Sequence, residues 1–384
     1  MRRTVGLGKG EREPRQSRSK GLYQGRVSKD GPAFMSKSTL DALRGSDTGH
    51  WRNIAAAQSL SKQKWLELAS LVAQELTTDE VSFVVFGSLA REEFTLGSDL
   101  DWTLLIDGQA DSGHLEIVHS IRAALETANY KVPGPTEMFG GMIFSHELVH
   151  AIGGDEDTNK NMTRRLLLLL ESTAIGTPTQ KAAHERLIRG ILGRYVEEDA
   201  NFITSNTRHD KIPRFLLNDV VRFWRTMAVD YANKYRARAG DKWALRNIKL
   251  RMSRKLLFVS GFFMCISWAL ENRGNDVEQL RQNLIAHLMS WTQRSPLESL
   301  ARIVQQYRPS LKSEIFDSYD EFLALLNNDD IRKHLEKLLP EEAYKDPIFL
   351  KARETATSFD AALTTLLFDT NKDITRLVQK YGVF

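Results

Sequence analysis

Cysteine is almost absent from the 384-residue sequence, and its scarcity limits the kinds of site that the chain can build. The single cysteine, Cys265, lies in the apolar stretch LLFVSGFFMCISWAL. One cysteine excludes an intramolecular disulfide framework and any cysteine-rich zinc site. We therefore expect Cys265 to be a small, buried hydrophobic side chain.

Long apolar runs are also lacking. No run reaches the ~20 uninterrupted apolar residues that a membrane span needs, and the first residues, MRRTVGLGKGEREPRQ, lack the apolar core of a secretory signal. Hydrophobic residues still make up 42% of the sequence, which is enough for a large core and favours two domains. We expect a cytoplasmic protein that has no membrane partner.

The positive charge is unevenly distributed. The net charge is +4, but residues 1–34 contain nine Lys and Arg against three Asp and Glu, so the remainder carries a net charge of −2. Such a basic segment, poor in core-forming residues, predicts a disordered tail over residues 1–50. A nucleic acid is therefore a partner class that the charge of the folded part does not indicate.

Strand patterns occur only in the first half of the chain. VSFVVFG (81–87) is a short apolar, β-branched and aromatic run that predicts a buried strand, and DLDWTLLID (99–107) predicts a second one. LLLLLESTAIG is expected to be a buried helix, and only helical patterns follow from about residue 180. The predicted fold class is α+β, with a small mixed-sheet domain over residues 51–178 and an all-α helical bundle over residues 179–384.

The stretch FGSLAREEFTLGSDLDWTLL contains the most specific motif. Gly87 and Ser88 close the first predicted strand, and Asp99 and Asp101 open the second. Because side chains alternate along a strand, the two carboxylates point to one face. Like charges so placed repel each other, and a hard divalent cation such as Mg²⁺ or Mn²⁺ would compensate them. Glycine permits close approach of a ligand, and the turn at Ser88 offers N–H groups to phosphate oxygens.

This motif resembles the nucleotidyltransferase superfamily related to DNA polymerase β. The shared pattern is an apolar residue, Gly-Ser, a spacer of similar length and Asp-x-Asp, and the match covers about residues 59–152. The loop is most similar to the N-terminal catalytic region of protein-PII uridylyltransferase and its bacterial relatives. Arg91 stands at that family's arginine and Ser98 at its serine, whereas Glu92 replaces the glycine of the usual Arg-Gly-Glu. No counterpart of that enzyme's phosphohydrolase or regulatory domains is evident.

The resemblance implies transfer of a nucleoside monophosphate from a nucleoside triphosphate to an acceptor hydroxyl. It implies that Asp99 and Asp101 hold Mg²⁺ or Mn²⁺, and that Gly87, Ser88, Arg91 and Ser98 contact the nucleotide. The acceptor class stays open among protein, RNA and a small molecule. The superfamily commonly uses a third carboxylate, for which the sequence offers several candidates: Glu137, Glu147, Asp155, Glu156 and Asp157. A catalytically silent nucleotide-binding module is an alternative.

A second motif points to different chemistry. Residues 146–150, HELVH, match the HExxH signature of zinc metallopeptidases, and Glu171 stands where a downstream third ligand could follow. The segment between the flanking glycine pairs is short for a metallopeptidase helix, so a zinc peptidase is the less favoured alternative. Two basic pairs are secondary phosphate candidates: Arg164 with Arg165, and Arg251 with Lys255 beside Arg254. Pairing with nearby acids or exposure to solvent explains such pairs at least as well.

Overall fold

The structure, a computed structural model, describes residues 38–45, 49–131, 138–199, 210–237, 242–271 and 277–383, all within one compact unit, Ser38–Phe384. Most of the predicted tail and Glu137 lie outside the described residues, and the predicted domain boundary after residue 178 stays a prediction. The elements, in chain order, are α1 (Thr39–Arg44), α2 (Arg52–Val72), β1 (Val81–Phe86), α3 (Gly87–Ala90), β2 (Trp102–Ile106), α4 (Gly113–Thr127), β3 (Gly141–Phe144), α5 (Ser145–His150), α6 (Asn159–Leu170), β4 (Ser172–Ile175), α7 (Pro178–Glu198), α8 (Arg214–Ala237), α9 (Trp243–Lys249), a π-helical turn (Leu250–Arg254), α10 (Lys255–Glu271), α11 (Val277–Thr292), α12 (Pro296–Tyr307), a 3₁₀ turn (Pro309–Leu311), α13 (Lys312–Asn327), α14 (Asp329–Lys337), α15 (Pro340–Ala343), α16 (Pro347–Phe368), α17 (Lys372–Leu377) and a second π-helical turn (Val378–Val383).

Four strands form a small mixed sheet in the order β3-β2-β1-β4. The central strand β1 runs antiparallel to both β2 and β4, whereas β2 and β3 are parallel. All six residues of β1, VSFVVF, are buried, and their β-branched and aromatic side chains suit a pleated strand. The remainder of the described chain is largely helical, so the predicted α+β class is confirmed.

The sheet lies between two hydrophobic cores. Phe83 and Val85 of β1 pack with α2 and α4 in the smaller core. Val84 and Phe86, which alternate with them, belong to the larger core that continues through the helices of the second half. One face of β1 therefore packs against the sheet domain's own helices, and the other packs against the helices of the second half of the chain.

The N-terminal helices are tied to the helical second half by side chains that cap them. Glu298 of α12 accepts hydrogen bonds from the backbone N–H groups of Thr39 (2.6 Å) and Leu40 (3.2 Å) at the start of α1. Asp320 of α13 accepts from the N–H groups of Asn53 (2.8 Å) and Ile54 (2.9 Å) in the first turn of α2. Helix α1 lies within residues 1–50, and these carboxylates satisfy the free donors of α1 and α2.

The expected helix over LLLLLESTAIG was also wrong. Helix α6 ends at Leu170, and Ser172 begins β4, whose first residue pairs with Phe86 of β1. The β-branched Thr173 and Ile175 gain a ladder partner in β1 that sequence periodicity does not show. This change of direction places Glu171 at the end of the sheet.

One described helix, Trp243–Glu271, is long and apolar enough to cross a membrane by length and composition. Within its most apolar window, 72% is buried inside the protein. Cys265 lies in this helix and is fully buried, as its apolar surroundings predict. The helix thus forms part of the larger core.

Candidate active site

The turn after β1 brings backbone and carboxylate close together. Gly87 has a φ of +65°, and a Cβ atom at this position would lie 3.0 Å from Oδ2 of Asp101. The N–H of Phe86 donates to the carbonyl oxygen of Asp101 at 2.9 Å, which holds the two segments side by side. Glycine is therefore required here both for its conformation and for the space that the carboxylate occupies.

Asp99 and Asp101 lie in the extended segment just before β2, which begins at Trp102 rather than at Asp99 as predicted. The predicted alternation still holds, because Leu100 and Trp102 are buried while Asp99 is exposed and Asp101 is half-buried. Neither carboxylate forms a hydrogen bond or ion pair with any residue that the structure describes. The two adjacent carboxylates thus have no direct partner among the described residues.

The surroundings of Asp101 favour its protonated form. Burial, and then the charge of Asp99, raise the pKa of Asp101 to about 7, although Arg254 acts in the opposite direction. The carboxylate is therefore only partly ionised at neutral pH. A bound cation would favour the ionised form and displace the proton.

A third carboxylate, Glu171, lies near this pair. It precedes β4 directly, and its charge is one of those that raise the pKa of Asp101. Its side chain is buried and is held by two arginines, Arg91 and Arg254, the latter at 2.6 Å. Burial alone would raise the pKa of Glu171, but Arg254 and Arg91 together lower it below its ordinary value. Glu171 is consequently an ionised carboxylate with two cationic partners.

The sequence did not single out Glu171 as the third carboxylate. Of the other candidates, Glu147 and the pair Asp155 and Glu156 are exposed, and Asp157 binds Arg165. The signal was present in the chain, since Glu171 immediately precedes the β-branched run STAI. It was hidden because that run was assigned to a helix.

Arg91 lies beneath the site rather than in it. Its side chain is buried, and its guanidinium donates to Glu93 at 2.9 Å and to Glu171. Glu93 in turn accepts a 2.6 Å hydrogen bond from the hydroxyl of Tyr319 in α13. The arginine of the motif therefore connects the site to the helical half of the protein.

The two predicted serine contacts differ in their surroundings. Ser88 is half-buried in the short helix α3, directly after Gly87. The hydroxyl oxygen of Ser98 accepts a hydrogen bond from the N–H of Thr95 at 3.1 Å and closes the turn that leads to Asp99. Ser88 thus follows the glycine that lies against Asp101, whereas Ser98 shapes the loop between the two halves of the motif.

Asp101 and Glu171 form one end of a cleft of about 430 Å³, within the usual range of ~300–1,000 Å³ for small-molecule sites. Its walls come from α6, α8 and the helix that contains α9 and the π-helical turn. Four cationic side chains line it: Lys160, Arg246, Lys249 and Arg254. Apolar and aromatic side chains cover another part: Met138, Phe139, Phe223, Met227 and Tyr231. The cleft thus offers cationic and apolar surfaces beside three carboxylates, those of Asp101, Glu171 and, on α8, Asp230.

The π-helical turn determines which cations face the cleft. Lys249 and Arg254 are five residues apart, and the i to i+5 spacing of a π-helix brings such residues to one side. The basic face predicted for this segment was Arg251 with Lys255 beside Arg254, and of these three side chains only Arg254 lines the cleft. Instead, Arg251 donates to Asn247 at 3.1 Å and Lys255 binds Asp360. An ideal α-helical period does not predict this arrangement.

The pKa of Lys249 lies close to neutral pH. Burial, and then the charge of Arg332, lower the pKa of Lys249 to about 8, while Asp99 acts in the opposite direction. The ammonium is therefore mostly charged at neutral pH but loses its charge readily above pH 8. A phosphate beside it would favour the charged form.

In the other basic pair, Arg164 and Arg165, the second arginine has a structural role. Arg165 is fully buried and binds Asp157 at 2.7 Å and Asp219 at 3.3 Å. Its neighbour Arg164 is half-buried in α6. The structure thus brings Arg165 to the acidic loop, one of the two explanations considered for it, rather than to the cleft.

The HELVH segment forms only the six-residue helix α5, in which His146, Glu147 and His150 are exposed. Glu171, the downstream ligand considered for zinc, is committed to two arginines. In the described parts of the chain, no three or more His, Cys, Asp or Glu side chains lie close enough together to hold a metal ion. A cation site at Asp99 and Asp101 would therefore need ligands from substrate or water, as Mg²⁺ sites commonly have.

Comparison with known families supports the resemblance on the motif itself. Residues 43–138 match the family model described as "Putative nucleotidyltransferase DUF294". The matched segment contains β1, Gly87, Ser88 and both motif aspartates, and it supports membership of this region in the nucleotidyltransferase superfamily. No curated protein and no solved structure matches the chain.

Proposed function

We propose that the protein transfers a nucleoside monophosphate from a nucleoside triphosphate to an acceptor hydroxyl, with a divalent cation held by Asp99 and Asp101. The observation that carries this proposal is a pair of carboxylates without a direct partner among the described residues, one of which, Asp101, lines a cleft together with four cationic side chains. The match of residues 43–138 to a nucleotidyltransferase family supports the reaction class. The closer likeness to protein-PII uridylyltransferase stays a prediction from the loop pattern.

The carboxylates fit a divalent cation. Asp101 lacks a hydrogen-bond partner among the described residues, and Asp99 beside it raises its pKa. Carboxylate oxygens are the ligands that Mg²⁺ and Mn²⁺ prefer. When bound, such a cation supplies charge compensation for the triphosphate and the developing pyrophosphate. The turn at Gly87 leaves room for the Asp101 carboxylate, and Ser88 offers its hydroxyl to phosphate oxygens.

The cationic wall of the cleft suits the triphosphate. Lys249 and Arg254 approach the carboxylates from the helical half, and each can donate to phosphate oxygens. Phe139 and Phe223 line the apolar part, which is of the kind that accepts a nucleobase or ribose. In the reaction, the acceptor hydroxyl oxygen forms a bond to the α-phosphorus and releases its proton to solvent, while the bond between the α-phosphorus and the oxygen that bridges it to the β-phosphate breaks and pyrophosphate leaves.

Arg91 then acts on Glu171 rather than on the nucleotide. Its buried guanidinium fixes Glu171 beside Asp101 and is itself fixed by Glu93. We therefore propose a positioning role for Arg91 and a supporting carboxylate role for Glu171. Ser98 acts through the turn that it closes.

The decisive experiment is label transfer from each of the four α-³²P ribonucleoside triphosphates, with Mn²⁺ or Mg²⁺ and a cell extract that supplies acceptors. The Asp99→Ala/Asp101→Ala variant should lose transfer and pyrophosphate release. The Asp155→Ala/Glu156→Ala variant removes two exposed carboxylates outside the cleft and should retain both. Equal loss in both variants, or transfer that persists without Asp99 and Asp101, would refute the proposal.

One observation favours a second candidate, a silent nucleotide-binding module. Glu171 is bound by both Arg91 and Arg254, so it is not free to assist an acceptor in this conformation. Such a module would bind a triphosphate at Lys249 and release no pyrophosphate with any of the four nucleotides. Equilibrium dialysis with the same labelled nucleotides separates binding without turnover from transfer.

A further inference from the structure

A second cavity, of about 290 Å³, is lined by β4, which does not line the cleft. Its walls come from α2, β4, α7 and the turn between α11 and α12, so both halves of the protein contribute to it. Glu171 borders both cavities, but its buried carboxylate is occupied by the two arginines. The polar groups that remain in this second cavity are not used by the proposed transfer reaction.

Glu92 contributes a carboxylate to this cavity at a conformational cost. Its φ is +62°, a left-handed conformation that glycine adopts easily and glutamate does not. The half-buried carboxylate forms no hydrogen bond or ion pair with any described residue. Burial raises its pKa, and the charges of Glu298 and Asp41 act in the same direction, whereas that of Lys62 acts in the opposite one. A strained backbone that delivers an unpaired carboxylate is better explained by a ligand than by stability.

Cations line the same cavity without pairing with Glu92. Lys181 of α7 makes no ion pair within the described part of the chain. Arg294 is half-buried, and within the described residues its guanidinium makes one hydrogen bond, to the Ser290 hydroxyl at 3.5 Å. The indole nitrogen of Trp65, which also lines the cavity, is buried without an acceptor in the described part of the chain. The cavity is thus lined by charged groups of both signs that do not pair with each other, and by one N–H donor that has no acceptor among the described residues.

We propose that this second cavity binds a small zwitterionic molecule. An ammonium group of the ligand lies at Glu92, and a carboxylate or phosphate group lies at Lys181 and Arg294. Glu185 of α7 also lines the cavity, but it is exposed to solvent, whereas Glu92, Lys181 and Arg294 are half-buried. A simple anion or a simple cation would compensate half-buried charge of one sign only, whereas a zwitterion compensates both. This site is separate from the nucleotide cleft and does not depend on the proposed transfer reaction.

The test uses calorimetry and thermal denaturation of the full chain with phosphoethanolamine, β-alanine and 6-aminohexanoate. These probes differ in the anionic group and in the span between the charges, so they distinguish phosphate from carboxylate ligands. Inorganic phosphate, acetate and ethylammonium carry only one of the two charges. We expect at least one zwitterion to bind at least about tenfold more tightly than each single-charge probe.

Variants locate the binding. Glu92→Gln and Arg294→Gln should each weaken zwitterion binding by about tenfold or more, whereas Glu116→Gln, which changes an exposed carboxylate of α4, should leave it unchanged. Glu92→Gly should raise the melting temperature, because glycine relieves the left-handed φ, and should also abolish the response to the zwitterion. The proposal is overturned if no zwitterion binds at about 10 mM, or if Glu92→Gly binds as the wild type does.

Discussion

Two groups of acidic side chains in this protein differ in how their charge is compensated. Around Arg165, Asp157 and Asp219 are both paired with the buried guanidinium, and the hydroxyl of Tyr195 donates to Asp219. At the cleft, by contrast, the carboxylate of Asp101 has no described partner, and that of Asp99 beside it is equally unpaired. The first group joins α6 to α7 and α8, whereas the second is left for a ligand.

The difference shows that compensation, rather than motif spacing, separates structural from chemical carboxylates. Buried charges with complete partners hold elements together, and removing one partner leaves an uncompensated charge. Carboxylates without partners cost stability unless something binds them. Glu171 lies between the extremes, because it is near Asp101 yet fully paired with Arg91 and Arg254. The predictions below test this division.

The largest expected effect is on activity at the unpaired group. Asp101→Asn removes a cation ligand but no contact that holds the fold, so transfer should fall by about 10⁴-fold, or roughly 5.5 kcal/mol of transition-state stabilisation. The melting temperature should stay equal or rise. Single-turnover transfer and differential scanning calorimetry measure the two quantities. A variant that unfolds, or one that retains a tenth of the activity, would contradict the comparison.

At the paired group around Arg165, a substitution should lower stability and leave activity unchanged. Arg165→Met leaves Asp157 and Asp219 without their buried partner and should lower the free energy of unfolding by about 3–5 kcal/mol. The neighbouring Arg164→Met, which changes a half-buried arginine without such partners, should cost about 1 kcal/mol or less. Urea denaturation measures both. Activity per folded molecule should be unchanged in Arg165→Met, and a selective loss of activity would show that this group also takes part in the chemistry.

The next effect concerns the cations that face the unpaired carboxylates. Lys249→Met should raise the dissociation constant of the nucleoside triphosphate by about 10–30-fold, since one charge-assisted contact is lost. Arg251→Met removes a cation two residues away that is hydrogen-bonded to Asn247 instead, and it should change the constant by less than about twofold. Equilibrium dialysis measures both dissociation constants and shows which side of the helix binds the nucleotide. Equal effects would mean that the π-helical turn does not select the binding face.

The motif itself was predictable from sequence because its determinants are local. A buried run ending in glycine, a turn and Asp-x-Asp define both strands and the carboxylate pair within about twenty residues. Gly87 proved necessary for a reason that the pattern only suggests, the 3.0 Å approach of Asp101. This part of the site can therefore be predicted from the sequence without knowledge of contacts between distant segments.

The remaining site residues depend on contacts between distant segments. Glu171 becomes part of the site only because β4 pairs with β1. This pairing ends the helix of the preceding leucines at Leu170, although the sequence pattern predicts that the helix continues. Lys249 and Arg254 face the cleft because the helix contains a π-helical turn, which shifts the spacing from that of an α-helix. Neither event leaves a clear local signal. The pairing of Arg165 with Asp219, over fifty residues away, is equally non-local.

The smallest effect is a pH dependence that separates the two members of the unpaired group. Because the pKa of Asp101 is about 7, a cation must displace its proton below that pH, and Mn²⁺ affinity should rise by about tenfold between pH 6 and pH 8. Asp101→Asn should remove this dependence. Asp99→Asn should keep it but move its midpoint to lower pH, since the charge of Asp99 raises the pKa of Asp101. Electron paramagnetic resonance of free Mn²⁺ provides the measurement.

Stability gives an independent check with a definite sign. A folded-state pKa of about 7, above the ordinary value of 3.8, means that Asp101 binds its proton more tightly in the folded than in the unfolded chain. Its ionisation therefore costs stability progressively from about pH 4 to pH 7, and the full cost is present above that range. Without added metal, Asp101→Asn should match the wild type at pH 4 and exceed its unfolding free energy by up to about 4 kcal/mol at pH 8. A wild type that gains stability relative to Asp101→Asn as pH rises would show that Asp101 has a cationic partner after all, and the contrast with the group around Arg165 would be lost.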